Sequence, residues 1–168
     1  MKFYYFYAAI LLSTLMLPSH SMADGHGNDA HPVIAAISDY WAARNTADHE
    51  AVANLESGTG MFGTNSDGSF HKPVSAATPD DWKRNMAGQQ SNMQVFYPEA
   101  EEIAEGVVYA RYYLEGMVGD DAELYPYRTR VTNVWVLEDD GHWRIKAMHF
   151  SNADFGGTHR TQSTDFED

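Results

Sequence analysis

The sequence predicts an α+β fold in which helices cover one face of an antiparallel sheet. Apolar residues recur at helical spacing in the first half of the chain. Four long segments rich in β-branched and aromatic residues fill most of the second half, with short turns between them. Helices followed by consecutive strands are typical of the α+β class, and the twist of long strands would curl the sheet around the helices.

The first half of the chain predicts three helices and one hairpin. Pro32 suits the first turn of the first helix, and a second, short helix is predicted over residues 49–55. Residues 61–71 have the pattern of a strand, a turn and a strand. The third helix begins at Thr78, which suits an N-cap and is followed by Pro79 and two acidic residues. The inward stripe of the first helix is Val33, Ile37, Tyr40, Trp41 and Arg44.

The second half predicts four strands that follow one another as a meander. Pro98 should bend the first of them, because proline cannot donate a hydrogen bond to a neighbouring strand. Asp140-Gly141, between the last two strands, is a strong hairpin signal because these residues tolerate positive φ angles. The predicted strands cover residues 93–105, 107–118, 125–137 and 142–152.

Apolar and polar side chains mix on both faces of these strands, whereas a sheet with one face in water should alternate cleanly. Both faces should therefore be covered, one by the helices and the other by a second copy of the chain. Polar residues among large apolar ones on the concave side would line a pocket. The residues expected to form this sheet-to-sheet homodimer are Tyr112, Leu114, Arg130, Val134, Met148 and Phe150.

Composition limits the range of functions. The 168 residues fit one domain, and 43% of them are hydrophobic, enough for a core. There are 24 acidic residues against 11 Lys and Arg, a formal net charge of −13, which argues against nucleic-acid partners and anionic membrane surfaces. The chain has no cysteine, so disulfides, thiolate metal sites and cysteine nucleophiles are excluded.

The N-terminus has the pattern of a secretory signal peptide over residues 1–23. Lys2 precedes an apolar run over residues 3–17, and Ser21 and Ala23 are the small residues that a cleavage site requires. A membrane anchor is the alternative reading of this run, but the run is shorter than the roughly 20 residues of a membrane span. We expect cleavage after Ala23 and a periplasmic or secreted chain with no membrane span.

Beyond the signal peptide, the sequence predicts a flexible lead over residues 24–30, one domain over residues 31–153 and a flexible acidic tail over residues 154–168. Cleavage would leave Asp24-Gly25-His26 at the new N-terminus. The free amine, two backbone amides and the imidazole of this tripeptide can form a square plane of nitrogens, which Cu(II) and Ni(II) favour. The alternative is a histidine that falls there in a polar tail without a metal.

The last hairpin carries a more specific pattern. Thr132-Asn133-Val134-Trp135 is followed by an acidic turn, then Asp140-Gly141-His142-Trp143 and finally His149-Phe150-Ser151. The preceding strand contributes Tyr109-Ala110-Arg111, and the N-terminal helices contribute residues 37–55 with Asp48. This pattern resembles the nuclear transport factor 2-like superfamily, most closely its SnoaL-like branch and the association domain of calcium/calmodulin-dependent protein kinase II.

The resemblance implies a cone-shaped α+β roll, also described as cystatin-like, in which a curved antiparallel sheet wraps around an N-terminal helix. Proteins of this fold enclose a pocket and are usually dimeric through the sheet. The resemblance implies pocket positions at Arg111, Asn133, His149 and Ser151. The association-domain pattern has Arg where this chain has Asn133, so that domain's anion-binding pocket is carried over only in part.

Catalytic members of the superfamily generally pair an acid with His or Tyr in an apolar pocket and use no cofactor, so none is expected here. His149 is the candidate catalytic residue, with a hydrogen-bonded core histidine as the alternative. Arg111 would bind a ligand carboxylate, or would pair with Glu115 or another acid. The expected ligand-binding residues are Tyr40, Trp41, Tyr109, Arg111, Asn133, Trp135, His149 and Ser151.

Three functions remain open at this point. The first is an exported domain that binds a small molecule, with a carboxylate as the candidate class, in the concave face of the sheet. The second is a cofactor-free lyase or isomerase on the same fold, which a pocket carboxylate would favour. The third is a structural or regulatory dimer without catalysis, since a fold by itself does not specify a function.

Overall fold

The computed structural model describes residues 31–66, 68–71 and 75–153. The predicted signal peptide, lead and tail, including Asp24, Gly25 and His26, lie outside these residues. No helix in the described ranges is long and apolar enough to cross a membrane. The elements are α1 (Pro32–Asn45), α2 (His49–Asn54), β1 (Phe62–Thr64), β2 (Phe70–His71), α3 (Pro79–Asn85), β3 (Gln90–Ala104), β4 (Val107–Gly119), β5 (Leu124–Leu137) and β6 (Trp143–Asn152).

The strands form one curved sheet in the order β2-β1-β6-β5-β4-β3, so the predicted α+β class and the meander of the four long strands are confirmed. The sheet is mixed rather than wholly antiparallel. The β1 strand runs parallel to β6, with Phe62 opposite Ala147. This pairing joins segments far apart in sequence, and no local sequence pattern predicts it.

Each helix begins at a residue whose side chain caps its free amides. His31 Nδ1 accepts a hydrogen bond from the amide of Val33 at 3.2 Å, and Asp48 accepts one from Ala51 at 3.0 Å. Thr78 and Asp81 form a capping box, in which the side chain of each accepts a hydrogen bond from the backbone amide of the other. This confirms Thr78 as the predicted N-cap of the third helix.

The core lies between α1 and the inner face of the sheet. The α1 stripe of Val33, Ile37, Tyr40 and Trp41 is at most 5% exposed, and burying an apolar side chain of this size stabilises the fold by about 1.5–3 kcal/mol. Trp41 Nε1 donates a hydrogen bond to the Tyr112 hydroxyl at 2.9 Å. The sheet contributes mainly Val108, Ala110, Tyr112, Leu114, Val131, Trp135, Ile145 and Met148 to this core.

Three irregularities interrupt the pairing of the long strands, and one of them lies between Glu102 and Ala104 at the end of β3. In β3 the pairing with β4 shifts between Phe96 and Glu99, where Tyr97 has a φ of 52° directly before Pro98, as the predicted bend requires. In β6 the pairing with β5 shifts so that Val134 lies opposite Ala147 and Trp135 opposite Ile145. The extra residue is Lys146, whose ammonium donates to Thr59 Oγ1 at 2.7 Å.

The strand register also corrects the expected dimer face, and it places Phe150 opposite Val131 on the inner face. Tyr112, Leu114 and Met148 are buried in the core, because α1 packs on their side of the sheet. The strand register puts Arg130 and Val134 on the opposite, outer face, beside Tyr113 and Tyr109 of β4. The residues assigned to one surface therefore lie on two.

An arginine ties the closing hairpin to the segment after α2. Arg144 donates to both carboxylate oxygens of Asp140, at 2.8 and 2.7 Å, and to Glu138 at 2.9 Å. It also donates to the carbonyl of Asn54 at 3.0 Å. Glu138 in turn accepts from the Ser57 hydroxyl at 2.9 Å. The hydrogen bonds from Arg144 hold the pKa of Asp140 well below its usual value.

This network predicts an acid-dependent stability. A carboxyl whose pKa is lower in the folded than in the unfolded state stabilises the fold at pH above its unfolded pKa, and the stabilisation is lost as pH falls further. Asp140→Asn should therefore be less stable than the wild type at neutral pH, and the difference should shrink below about pH 4. Urea unfolding of both proteins at several pH values measures this difference.

The matched control is Asp139→Asn, which removes the neighbouring exposed carboxylate of the same turn. Its difference from the wild type should be small at every pH. A constant difference for Asp140→Asn across the same pH range would contradict the assignment of this stabilisation to Asp140.

Candidate functional site

A cavity of about 450 Å³ opens between α1, α3 and the start of the sheet. Its walls combine aromatic and apolar side chains with three charged residues of the described ranges, the acids Glu56 and Asp81 and the guanidinium of Arg44. Apolar walls with a few convergent polar groups are the usual composition of a small-molecule site. The lining residues are Tyr40, Arg44, Glu56, Met61, Gly63, Asn65, Ser75, Ala76, Ala77, Asp81, Trp82, Asn85, Met148 and Phe150.

Glu56 is the buried acid of this cavity, at 4% exposure. Its backbone position is fixed because Ile145 donates to the carbonyl of Leu55 at 2.8 Å and accepts from Ser57 at 3.0 Å. Its carboxylate accepts hydrogen bonds from the Tyr40 hydroxyl at 2.9 Å and from Trp82 Nε1 at 3.1 Å. Such donors are what a buried charge needs to be tolerated.

Tyr40 remains protonated in this setting. Burial is the largest cause that raises the pKa of its hydroxyl, the charge of Glu56 raises it further, and the charge of Arg44 opposes both. The hydroxyl therefore acts as a hydrogen-bond donor to Glu56 over the whole physiological pH range.

Arg44 projects from the last turn of α1 into a group of aromatic rings. Its guanidinium carbon lies 4.9 Å from the ring centre of Trp82, 5.2 Å from Trp41 and 5.9 Å from Tyr40. Contacts of this kind favour a cation over the ring faces. Within the described residues, no carboxylate comes within 4.0 Å of this guanidinium, unlike those of Arg84, Arg111, Arg128 and Arg144.

A second cavity of about 520 Å³ adjoins the first, since Arg44, Asn65 and Phe150 line both. Arg44 alone carries a charge among the described residues that line it. The remaining wall is apolar or neutral polar: Trp41, Asn65, Ser66, Met86, Gln89, Gln90, Ser91, Met93, Leu114, Val118, Gly119, Tyr127 and Phe150.

The structure divides the expected ligand-binding residues among four places: two cavities, the core and the outer face of the sheet. Tyr40 lines the first cavity and Trp41 the second. Asn133 and Trp135 are at most 1% exposed and face the helices, but they lie within the core and line neither cavity.

The other four lie on the outer face of the sheet, away from both cavities. Arg111 is exposed and pairs with Glu99, and the strand register aligns it with Thr132 and His149. Ser151, on the same face, accepts a hydrogen bond from Arg130 at 2.9 Å. Tyr109 is 38% exposed.

The expectation of one pocket shared by Arg111, Asn133 and His149 is therefore corrected. Residues 111, 132 and 149 share a face, as alternation along paired strands requires, but residue 133 points to the opposite one. The bulge at Lys146 shifts the alternation of β6, so Ile145 faces the core while His149 faces outward.

Sequence reasoning did not select Arg44, Glu56 or Trp82 as site residues. Arg44 carried a usable signal, because it is a charged residue at the end of an otherwise apolar helical stripe. Glu56 follows a short helix in a polar segment, and its burial depends on contacts with α1, α3 and β6 that no local pattern contains.

No group of three or more His, Asp or Glu side chains in the described ranges is arranged to hold a metal ion. The copper- or nickel-type arrangement of Asp24, Gly25 and His26 lies outside those ranges and stays a prediction.

No family model matches the chain, and no curated protein sequence matches it. The structure of the chain does match solved structures. A nuclear transport factor 2-like superfamily protein from Salmonella enterica has a TM-score of 0.63 and 14% identity, covering 78% of this chain and 95% of that one. A ketosteroid isomerase-like protein from Erwinia carotovora atroseptica has a TM-score of 0.58 and 18% identity, covering 73% and 95%.

The association domain of C. elegans calcium/calmodulin-dependent protein kinase II has a TM-score of 0.58 and 16% identity, covering 72% of this chain and 93% of that one. Identities this low report the fold and nothing finer. The chain has the nuclear transport factor 2-like fold, as predicted, and its assignment to the SnoaL-like branch stays a prediction.

Proposed function

We propose that this domain binds a small molecule in the interior cavity bounded by Tyr40, Arg44, Glu56 and Trp82. The observation that carries this proposal is that the buried carboxylate of Glu56 and the guanidinium of Arg44 lie among aromatic side chains in one cavity. Placing charged groups inside a cavity costs free energy, and packing of the core does not require such groups. A polar ligand that contacts both charges gives the arrangement a function, and the cavity volume of about 450 Å³ suits such a ligand.

The uncharged fluorescent probe N-phenylnaphthylamine should bind this cavity. Asn65→Trp places a large ring where the two cavities meet, at an exposed position that can accept it. This variant should weaken binding of the probe by about tenfold or more, because it fills the space that the probe needs. Fluorescence titration measures the affinities.

Asn92→Trp is the matched control, since it adds the same ring at an exposed position of β3 that lines neither cavity. It should bind the probe as the wild type does. A wild type that does not bind the probe, or an equal loss in both variants, would refute the cavity as the binding site.

A second candidate function is acid–base catalysis, and the hydrogen bond between Tyr40 and Glu56 favours it. A carboxylate in an apolar cavity can take a proton from carbon and return it, and the Tyr40 hydroxyl positions the Glu56 carboxylate by donating a hydrogen bond to it. One structure with the same fold is a ketosteroid isomerase-like protein. The reaction class would be a proton shift next to a carbonyl group, without a cofactor.

A β,γ-unsaturated cyclohexenone tests this candidate, because its conversion to the conjugated ketone removes one proton and returns one. Glu56→Gln should lower the rate by about a hundredfold or more while N-phenylnaphthylamine still binds. Glu50→Gln, an exposed acid of α2, should keep the wild-type rate. Ultraviolet absorbance of the conjugated product follows the reaction, and a rate that is equal in the wild type and Glu56→Gln would reject the candidate.

The proposal includes export and self-association. The signal-peptide pattern over residues 1–23 supports a periplasmic or secreted protein. The outer face of the sheet supports a homodimer, because Tyr109 and Met117 are exposed there and Val134 lies beside Tyr109 in the strand register. Exposed apolar surface of this kind is typical of protein interfaces, and one structure of the same fold is named an association domain.

Protein secreted from an expression host should begin at Asp24 and have twice the mass of one chain in solution. Intact mass spectrometry reports the first residue, and light scattering reports the mass in solution. Val134→Lys should shift the mass toward that of one chain, since it places a charge in the proposed interface. A wild type that stays monomeric at high micromolar concentration would exclude the homodimer, and a retained leader would exclude cleavage.

A further inference from the structure

We infer that the ligand is an elongated anion whose charged group lies in the second cavity against Arg44, while its uncharged body extends into the first cavity toward Glu56. This inference rests on the proposed function and adds the chemical class and the orientation of the ligand. A carboxylate, a sulfonate or a phosphate ester would satisfy it equally, since each offers oxygen acceptors to a guanidinium.

The two cavities differ in charge. Arg44 lines both cavities, but in the first it faces two acids, Glu56 and Asp81, whereas in the second it is the one charged side chain among the described residues. An anionic group therefore gains free energy in the second cavity and loses it in the first. Because the cavities meet at Arg44, Asn65 and Phe150, one molecule can occupy both.

The aromatic surroundings of Arg44 leave it able to bind. A guanidinium has five N–H donors and no acceptor. The rings of Trp41 and Trp82 are centred 5.2 and 4.9 Å from the guanidinium carbon of Arg44 and restrict where the group can lie. Within the described residues no carboxylate lies within 4.0 Å of this guanidinium, so a ligand anion can pair with it.

The net charge of −13 makes this local arrangement necessary. An acidic protein repels anions at a distance, so selectivity for an anion must come from a cation placed inside the site. Within a cavity of low dielectric constant, such a contact is stronger than the same contact at the surface.

Two probes with the same ring system separate charge from shape. Anilinonaphthalene sulfonate carries a negative charge, and N-phenylnaphthylamine is its uncharged counterpart. The ratio of their affinities, measured by fluorescence titration on the full mature chain, reports the contribution of the anion. In the wild type this ratio should favour the sulfonate.

Arg44→Gln should lower the ratio by about tenfold, the effect expected for one charge-assisted hydrogen bond. Arg44→Lys should keep most of the preference, because it keeps the charge. Glu56→Gln should act in the opposite direction, or leave the ratio unchanged, because it removes a repelling charge. Lys83→Gln, which removes an exposed cation from the last turn of α3, is the control and should leave the ratio at the wild-type value.

Each failure has its own signature. If neither probe binds the wild type, the proposed function fails. If both bind but Arg44→Gln leaves the ratio unchanged, or lowers it no more than Lys83→Gln, the cavity binds ligands and the anion inference is wrong. If circular dichroism shows that Arg44→Gln is unfolded, the probe-affinity ratios of Arg44→Lys and Glu56→Gln test the inference in its place. A fall in both ratios would overturn the inference.

Discussion

The hydrogen bond between Trp41 and Tyr112, 2.9 Å long inside the core, fixes how α1 lies on the sheet. It satisfies the indole and the phenol at once, so neither polar group is buried without a partner. With Trp41 held on β4, the helical period determines where the rest of the stripe points. Val33 and Ile37 fill the core, Tyr40 reaches Glu56, and Arg44 emerges where the core ends and the cavities begin.

A second constraint acts from the other side of the site. Glu56 can be a buried acid only because the segment that carries it is bound to β6 through Leu55, Ser57 and Ile145. The Arg144 network holds the same segment, since Arg144 binds the Asn54 carbonyl and Glu138 binds Ser57. The closing hairpin therefore does more than end the sheet, because it sets the depth at which the carboxylate meets Tyr40 and Trp82.

Local sequence was enough for the helices, the four long strands and their meander, but not for the parallel pairing of β1 with β6. The capping residues around Thr78, the Asp140-Gly141 turn and the bend at Pro98 act over a few residues, so their effects are visible in the sequence. The faces of the strands were harder to predict. The predicted pocket grouped residues 111, 133 and 149, whereas the strand register aligns 111 and 149 with 132 and puts 133 on the opposite face. Alternation cannot say which face of a strand meets the helices when both faces mix polar and apolar residues.

One inserted residue accounts for the outward position of the predicted β6 site residues, His149 and Ser151. The bulge at Lys146 is stabilised by contacts with Thr59 and the Gly60 carbonyl, at 2.7 and 2.9 Å, in a segment more than 80 residues away in sequence. No period within β6 could reveal it. The burial of Glu56 and the parallel pairing of β1 with β6 are hidden for the same reason, because each depends on distant partners.

The position of Arg44 has a consequence for how an anion would be recognised. Long-range electrostatic steering normally accelerates binding when protein and ligand have opposite net charge. Because this chain is acidic, it does not attract an anion at long range. Selectivity must then arise after the ligand has entered, from the contact with a guanidinium that the rings of Trp41, Trp82 and Tyr40 already hold in place. Because folding already fixes the orientation of the Arg44 side chain, little of its conformational entropy is lost on binding. The discrimination between an anion and its neutral counterpart should therefore appear mainly in the dissociation rate.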